Sequence, residues 1–297
     1  MDKGLFAFLA IAKHGNLTVA ADKIGLTQPS LTKRLTNLEH ELKCKLFTRH
    51  RRGMSLTPAG KSFLRRAQRV EQELLQANEE LRSLKNAGLD VLRIGAGPLF
   101  HQRHIAPVFS KLLLEFPSLR MDLTVNQNEL SLPMLINGEL DLVLGVIQPT
   151  GPDGALKSMP FTVLEHGIIV APEGWENSIN VILPEHMRDM RWVLYGEDKD
   201  TEVWLNSYFQ RNSLGSPNIA VRTASFATGL GLVRGTGFVM LSPLQLAPVI
   251  EDAGLTILPA KPAITKLTSG AYVRPSSLGF PAIKRFLELL QDQLSAN

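Results

Sequence analysis

Between Asn16 and Leu42 the chain carries a pattern that only two short helices joined by a tight turn accommodate. Asn16 or Thr18 can cap a first run whose inward face is Val19 or Ala20, Ala21 and Ile24. Gly25 supplies a permissive backbone, Leu26 turns inward, and Thr27 caps the next helix. Pro29 sits in that helix's first turn, where a missing N–H costs nothing. Leu31, Leu35, Leu38 and Leu42 then form one apolar stripe, while Gln28, Ser30, Thr32, Lys33, Arg34 and Asn37 occupy the other faces. Upstream, residues 3–14 place Leu5, Phe6, Leu9 and Ile11 or Ala12 at helical spacing, and Gly15 closes the segment. The spacing predicts a helix-turn-helix with a polar, cationic outer face.

That face carries side chains suited to reading DNA. Gln28 can pair with an adenine edge, Thr32 can touch a thymine methyl or a phosphate, and Lys33 can reach guanine or a phosphate. After the helix, Lys45–Phe47 and Ser55–Thr57 read as short strands around a turn holding Arg49, His50, Arg51, Arg52 and Gly53, a basic wing. Charge agrees: residues 1–66 hold 13 Lys and Arg against 4 Asp and Glu, a net of +9, whereas residues 67–297 are net −5. A basic head on an acidic body fits a nucleic-acid module attached to something with another task.

The run Leu17–Leu35, with Leu38-Glu39-His40-Glu41-Leu42, Leu46-Phe47-Thr48-Arg49 and Arg52-Gly53-Met54-Ser55-Leu56-Thr57-Pro58-Ala59-Gly60, resembles the DNA-binding region of LysR-type transcriptional regulators. Helices, wing and entry to the next helix occur in order over about sixty residues. The resemblance implies that Gln28, Pro29, Thr32, Lys33 and Arg52 fall on positions that meet DNA. Thr18, Ser30, Arg34, Asn37, Arg49 and Arg51 complete the candidate set. Two positions depart from the family's habit: Thr32 stands where Ser is usual, and Lys33 where Arg is usual. Lysine lacks the bidentate fork of arginine, so base reading there is expected to differ.

Thr57-Pro58-Ala59-Gly60 opens a helix expected to run to about Lys85. Phe63, Ala67, Val70, Leu74, Ala77, Leu81 and Leu84 alternate by four and three, leaving a narrow apolar seam between charged faces. Such a seam suits a partner helix, with Phe63, Val70, Leu74, Leu81 and Leu84 as dimerisation residues. LysR-type regulators dimerise through this helix, and many assemble as tetramers of two dimers. Asn86-Ala87-Gly88 reads as a hinge. The domains expected are therefore a winged helix-turn-helix over 1–58, a linker helix and hinge over 59–88, and an effector domain over 89–297.

From Val91 the texture becomes alternating strands and helices, a βαβαβ pattern that implies a parallel sheet with helices on its faces. The pattern restarts after Met159-Pro160, giving an α/β chain with two lobes: lobe I near 89–160 and 266–297, lobe II near 161–265. The LysR-type effector domain has this arrangement and resembles periplasmic solute-binding proteins. Asn137-Gly138-Glu139-Leu140-Asp141-Leu142-Val143-Leu144 resembles one family landmark. Gly229-Leu230-Gly231-Leu232-Val233 with Gly237–Pro243 resembles its second-lobe counterpart.

Ligands of open α/β sheets sit beyond the carboxyl ends of strands. Candidate effector contacts are therefore Gly97, Pro98, Leu99, Phe100, Gln127, Asn128, Val146, Tyr195, Ser225, Phe226 and Thr228. Helix N-termini there favour an anion such as a carboxylate. The family often places Ser or Thr in the first loop; Gly97 to Phe100 offer no hydroxyl, which argues for a more apolar mouth or backbone-only contact.

Several chemistries are excluded. His101 and His104 lack a carboxylate or cysteine at ligand spacing, and seven scattered histidines with one cysteine make no metal site. No phosphate-binding loop, nucleophile elbow or Ser/His/Asp grouping stands out, so no catalytic residue and no cofactor is assigned. Cys44 allows no intrachain disulfide, and no apolar run reaches the roughly 18 residues of a membrane span. The expectation is a cytoplasmic, effector-responsive regulator binding double-stranded promoter DNA and itself, with RNA polymerase as a further partner. A ligand-independent architectural repressor stands as the alternative, and an enzyme fused to a DNA-binding head as a weaker one.

Overall fold

The computed structural model describes residues 3–50, 53–84, 89–125, 128–148, 155–173, 180–195 and 200–295. The chain divides into two compact units, Met1–Asn78 and Glu79–Asn297.

The first unit opens with helices α1 (Lys3–His14), α2 (Leu17–Lys23) and α3 (Gln28–Glu41). Asn16 caps α2 by accepting from the Thr18 and Val19 N–H groups, and Thr27 caps α3 by accepting from Ser30 N–H. Gly25 takes φ +65 in the turn between them, a backbone that other residues rarely adopt. The core gathers Ala7, Phe8, Ile11, Ala20, Ala21 and Leu31. Phe8, fully buried, is the aromatic centre rather than Phe6, which is only half-buried. Val19, Ile24 and Leu42 are also more exposed than their spacing suggests, at 44%, 38% and 42%. The reason is local: Ile24 and Leu42 are the C-caps, beyond the last turns, and Glu39 takes the inward place on α3.

Strands β1 (Phe47–His50) and β2 (Gly53–Leu56) pair antiparallel, Phe47 opposite Leu56 and His50 opposite Gly53. The ladder runs further toward the basic tip than expected, because Arg49 and His50 are in it rather than in a turn. Helix α4 (Pro58–Leu84) follows, and its Phe63 packs edge-on against Phe8 with ring centroids 4.9 Å apart. Phe63 and the buried Ala67 thus belong to this unit's own core. This corrects the expected seam, which starts only beyond them: the inward pull of Phe8 claims the helix's first turns.

The second unit contains β3 (Val91–Ala96), a π-helix (Phe100–His104), α5 (Ile105–Glu115), β4 (Arg120–Thr124), α6 (Asn128–Ile136) and β5 (Leu142–Val146). β6 (Lys157–Val170), α7 (Pro184–Met187), β7 (Arg191–Tyr195), α8 (Asp200–Arg211), β8 (Asn218–Thr223), α9 (Phe226–Thr236) and β9 (Val239–Pro243) come next. A 3₁₀ turn (Leu244–Leu246), α10 (Ala247–Asp252), β10 (Thr256–Pro259), β11 (Lys266–Val273) and α11 (Pro281–Ser295) complete it. Strand order is β4-β3-β5-β11-β6-β9-β7-β8, with β10 on β6. β4, β3 and β5 are parallel, as are β8, β7 and β9. The mixed character was not expected: β11 and β10 run antiparallel to β6, and β11 antiparallel to β5. Local periodicity does not encode strand direction, and β6 and β11 are the crossings that join the two halves.

One apolar core lies under β3 and β5 with Ile105, Phe280, Phe286 and Leu290; others surround Trp192, Tyr208 and Met240. At the β6–β11 crossing the register shifts between Ser269 and Gly270, where an added Cβ would lie 2.0 Å from the Met159 oxygen. Only glycine lets the strands approach this closely. The 137–144 landmark also acquires a physical role. Asp141 accepts from Arg93 N–H at 2.9 Å, and the fully buried Arg274 donates to the Leu135 and Leu140 carbonyls and lies 3.5 Å from Asp141. These bonds tie the end of α6 to β3 and to the loop after β11, so the motif is a structural latch.

Candidate nucleic-acid interface and effector cavity

The head's outer face follows from how α3 is buried. With Leu31, Leu35, Leu38 and Glu39 turned inward, Gln28, Pro29, Lys33 and Asn37 are exposed and Ser30, Thr32 and Arg34 half-exposed. Thr18 at the start of α2 lies within reach of α3, its hydroxyl donating to Gln28 Oε1 at 3.4 Å. Among the described residues no carboxylate pairs with Lys33, Arg34 or Arg49, which leaves their charge available to phosphate. Arg51 and Arg52 lie outside the described residues.

Glu39, which the sequence pattern did not single out, fixes the wing to α3. Its carboxylate accepts from Leu46 N–H at 2.8 Å, Phe47 N–H at 3.3 Å and the Lys45 ammonium at 2.7 Å. Burial alone would raise its pKa, but the hydrogen bonds from Lys45, Leu46 and Phe47 outweigh it and hold the carboxyl below its ordinary value. Its signal in sequence was a charged residue four positions after Leu35, on the stripe reserved for leucines.

On α4, Val70 is 53% and Leu81 57% exposed, Leu74 is half-buried, and the Leu84 side chain lies outside the description. Large exposed apolar residues one to two heptads apart on a charged helix form an unsatisfied stripe.

The second unit encloses a cavity of about 410 Å³, in the range of small-molecule sites. Of the expected contacts, Gly97, Pro98, Leu99, Phe100, Val146, Tyr195 and Phe226 line it. Gly97 N–H donates to the Leu144 carbonyl at 2.8 Å, which sets the first loop against β5. Phe100 opens the π-helix, a rare geometry often found at functional sites. Ser225 and Thr228 do not line the cavity: both are exposed, and Ser225 is occupied as the N-cap of α9, accepting from Thr228 N–H at 3.2 Å. The capping demand of α9 outranks ligand contact at that serine. Gln127 lies outside the described residues, and Asn128 is described only as the first residue of α6.

The wall contains residues that strand-end reasoning passed over. Trp204 comes from α8, while Leu164 and His166 come from β6, Leu241 and Ser242 from β9, and Thr268 and Ser269 from β11. Those on β6 and β11 were missed because crossing strands present side chains along their length rather than at an end. His166 Nδ1 lies 2.6 Å from Thr265 Oγ1, and its ring centroid is 5.2 Å from that of Trp204. Burial pushes the His166 imidazole down to about 4, so it is neutral at physiological pH. His104 is likewise held at about 4, by burial and then by Arg103, but neither it nor His101 lines the cavity. Arg103 instead donates to the Gln245 carbonyl, whose side chain donates to Val163 O at 2.7 Å, linking the π-helix to the turn after β9.

Among the described residues no group of His, Cys, Asp or Glu is placed to hold a metal ion, and no helix is long and apolar enough to cross a membrane.

The comparisons with known proteins fall on both units. A family model described as the bacterial regulatory helix-turn-helix protein, lysR family, matches residues 3–61, and one described as the LysR substrate binding domain matches residues 87–295. The transcriptional regulator PtxR of Pseudomonas aeruginosa is 24% identical, the alignment covering 98% of this chain and 92% of PtxR. The transcriptional activator AaeR of Escherichia coli is 30% identical over 68% of this chain and 64% of its own. Full-length CbnR, solved with its target DNA, shares the fold with a TM-score of 0.57 at 18% identity, over 98% of this chain and 99% of CbnR. The chain belongs to the LysR family of bacterial transcriptional regulators and is a regulator rather than an enzyme.

Proposed function

We propose that α3 and the wing bind a dyad-symmetric promoter site while the cavity of the second unit receives a small-molecule effector that shifts the regulator's activity. The carrying observation is the pairing of an unneutralised cationic face on α3 with an aromatic-lined cavity of about 410 Å³ in the same chain. Gln28, Thr32, Lys33, Arg34 and Asn37 are the base-reading and phosphate candidates, with Thr18, Pro29 and Ser30 at the helix start. The wing arginines, Arg49 with Arg51 and Arg52, meet the backbone or minor groove. Domain limits of 1–58, 59–88 and 89–297 organise this reading.

The exposed Val70 and Leu81 on α4 support a dimer, which places two recognition helices about one DNA turn apart, and a pair of dimers makes a tetramer. The site of action is the cytoplasm, where contact with RNA polymerase carries the signal onward. The effector acts only by binding one arrangement of the chain more tightly than another. An architectural repressor without a ligand leaves the cavity without a role.

The test combines a footprint on the DNA upstream of the protein's own gene with a metabolite screen by thermal shift on the full chain. Two protected half-sites about 10 bp apart, centre to centre, and a footprint altered by a stabilising metabolite are expected. A single unpaired contact, or metabolites that never change the footprint, overturns the proposal.

A further inference from the structure

We propose that the segment Leu99–His104 is a clasp that holds the two halves of the second unit closed around the cavity before any ligand arrives, with Leu99 as its plug and the Arg103–Gln245 bond as its catch. This fastening belongs to the empty protein, so it goes beyond the effector-site reading and is testable without a ligand.

Two consecutive side chains are buried in two different cores. Phe100, 1% exposed, belongs to the core under β3 and β5, with Ile94, Ile105 and Phe286. Leu99, 3% exposed, belongs instead to the core around Met240, with Val193, Phe226, Leu230 and Leu246. Leu99 follows β3, whereas those partners come from β7, α9, β9 and the turn after β9. A side chain from one half is thus buried in the core of the other. Withdrawing it would bring both Leu99 and the apolar site it fills into water, which is unfavourable.

Arg103, one turn further on, makes the catch. Its guanidinium donates to the carbonyl of Gln245, 142 positions along the chain, and a charged donor strengthens that bond. Gln245 is itself fixed. Its side-chain amide donates to the Val163 carbonyl on β6 at 2.7 Å, and its neighbour Leu246 is fully buried in the core that receives Leu99. Leu99 and Phe100 line the cavity from the loop after β3, and Ser242 and Pro243 line it just before the turn that holds Gln245. Plug and catch therefore fasten the same two walls to each other.

The π-helix between them does not keep its shape through its own polar groups. His104, 2% exposed, leaves Nδ1 without a hydrogen-bond partner, and the Nδ1 of His101 is likewise buried and unfilled. Unpaired buried nitrogens are costly, and a π turn is a rare geometry. Anchoring at Leu99 and Arg103 offsets that cost.

The experiment measures the distance between the halves by pulsed electron spin resonance on the full chain without ligand. Spin labels are carried by Leu114→Cys on α5 and Val203→Cys on α8, both exposed and outside the cavity wall, in a Cys44→Ser background. Labelled chains are diluted into excess unlabelled chain, so that pairs within one chain are read. The parent should give one narrow distance distribution. Arg103→Met, which keeps the stem but loses the donor, should raise the longer-distance population by about tenfold or more, as should Leu99→Ala. Arg103→Lys, which keeps a charged donor, should return the parent distribution. All variants are compared where circular dichroism shows them folded. A parent already spread over two distances overturns the closed empty state. Distributions unchanged in Arg103→Met, in Leu99→Ala and in the two combined overturn the clasp, and an opening that lysine does not reverse overturns the catch. None of these results bears on whether a metabolite alters the footprint, so the effector-site reading is judged separately.

Discussion

Replacing Glu39 with alanine removes the acceptor for the Leu46 and Phe47 N–H groups at the root of the wing. Leu46 is almost fully buried, so its orphaned N–H has no water to turn to. A buried unsatisfied donor costs about 1–3 kcal/mol, and two of them about 2–4 kcal/mol once partial relaxation is allowed. The Lys45 partner is 74% exposed, and its ion pair adds little to that figure. At about 1.4 kcal/mol per tenfold, the loss corresponds to roughly 30-fold or more in local opening. Amide hydrogen exchange of the full chain reads this directly: protection at Leu46 and Phe47 should collapse in Glu39→Ala and largely survive in Glu39→Gln, which keeps an acceptor oxygen. The pH dependence has a definite sign. The folded carboxyl is held below its unfolded value, so its contribution is present above the unfolded value and lost as pH falls through the folded one. Glu39→Gln should remove that acid limb. Unchanged protection at Leu46 in Glu39→Ala would refute the assignment of Glu39 as the wing's anchor.

Other outcomes follow from the same structure. Lys33→Ala should weaken binding to all duplexes and lower the salt slope by about one, whereas Gln28→Ala should relax preference at a single base position; competition binding distinguishes them. Val70→Glu with Leu81→Glu should raise the concentration at which the chain dissociates by about tenfold or more in sedimentation, since each buries a charge in an apolar seam. His166 and His104 are both held at about 4, so the unfolded chain binds more protons below its histidine value, and stability should fall as pH drops from about 6.5 toward 4. His104→Phe should flatten that slope in thermal scans at stepped pH. Arg103→Ala breaks the charge-assisted bond to the Gln245 carbonyl, worth about 1.5–3 kcal/mol, and should lower the melting temperature by several degrees in calorimetry.

The legible parts of this chain are those where one residue decides one local geometry. Gly25, Thr27 and Pro29 announced the turn and the start of α3, and Leu31, Leu35 and Leu38 its buried face. Strand positions in the second unit were readable because buried runs such as Leu142–Val146 stand between polar stretches. What escaped depends on partners far away in sequence. Phe63 looks identical to Val70 in a heptad count, and only the proximity of Phe8 assigns it to the head's core. The antiparallel entry of β11 beside β6, and with it His166, Thr265 and Ser269, depends on pairing over about a hundred residues, which no local period records. Ser225 shows the converse: its type suited a ligand, yet the N-cap of α9 had the stronger demand. Polar residues on apolar stripes, Glu39 and His166 among them, were the readable hints of sites that periodicity alone missed.

The central claim is that this chain reads a particular DNA sequence through α3. Its most direct test is the affinity of the full chain for the DNA upstream of its own gene and for random duplex of equal length, measured across ionic strength. Both affinities should fall with salt, but the upstream site should stay about 10³-fold or more tighter near physiological salt. Equal affinity for the two duplexes at every ionic strength would contradict it.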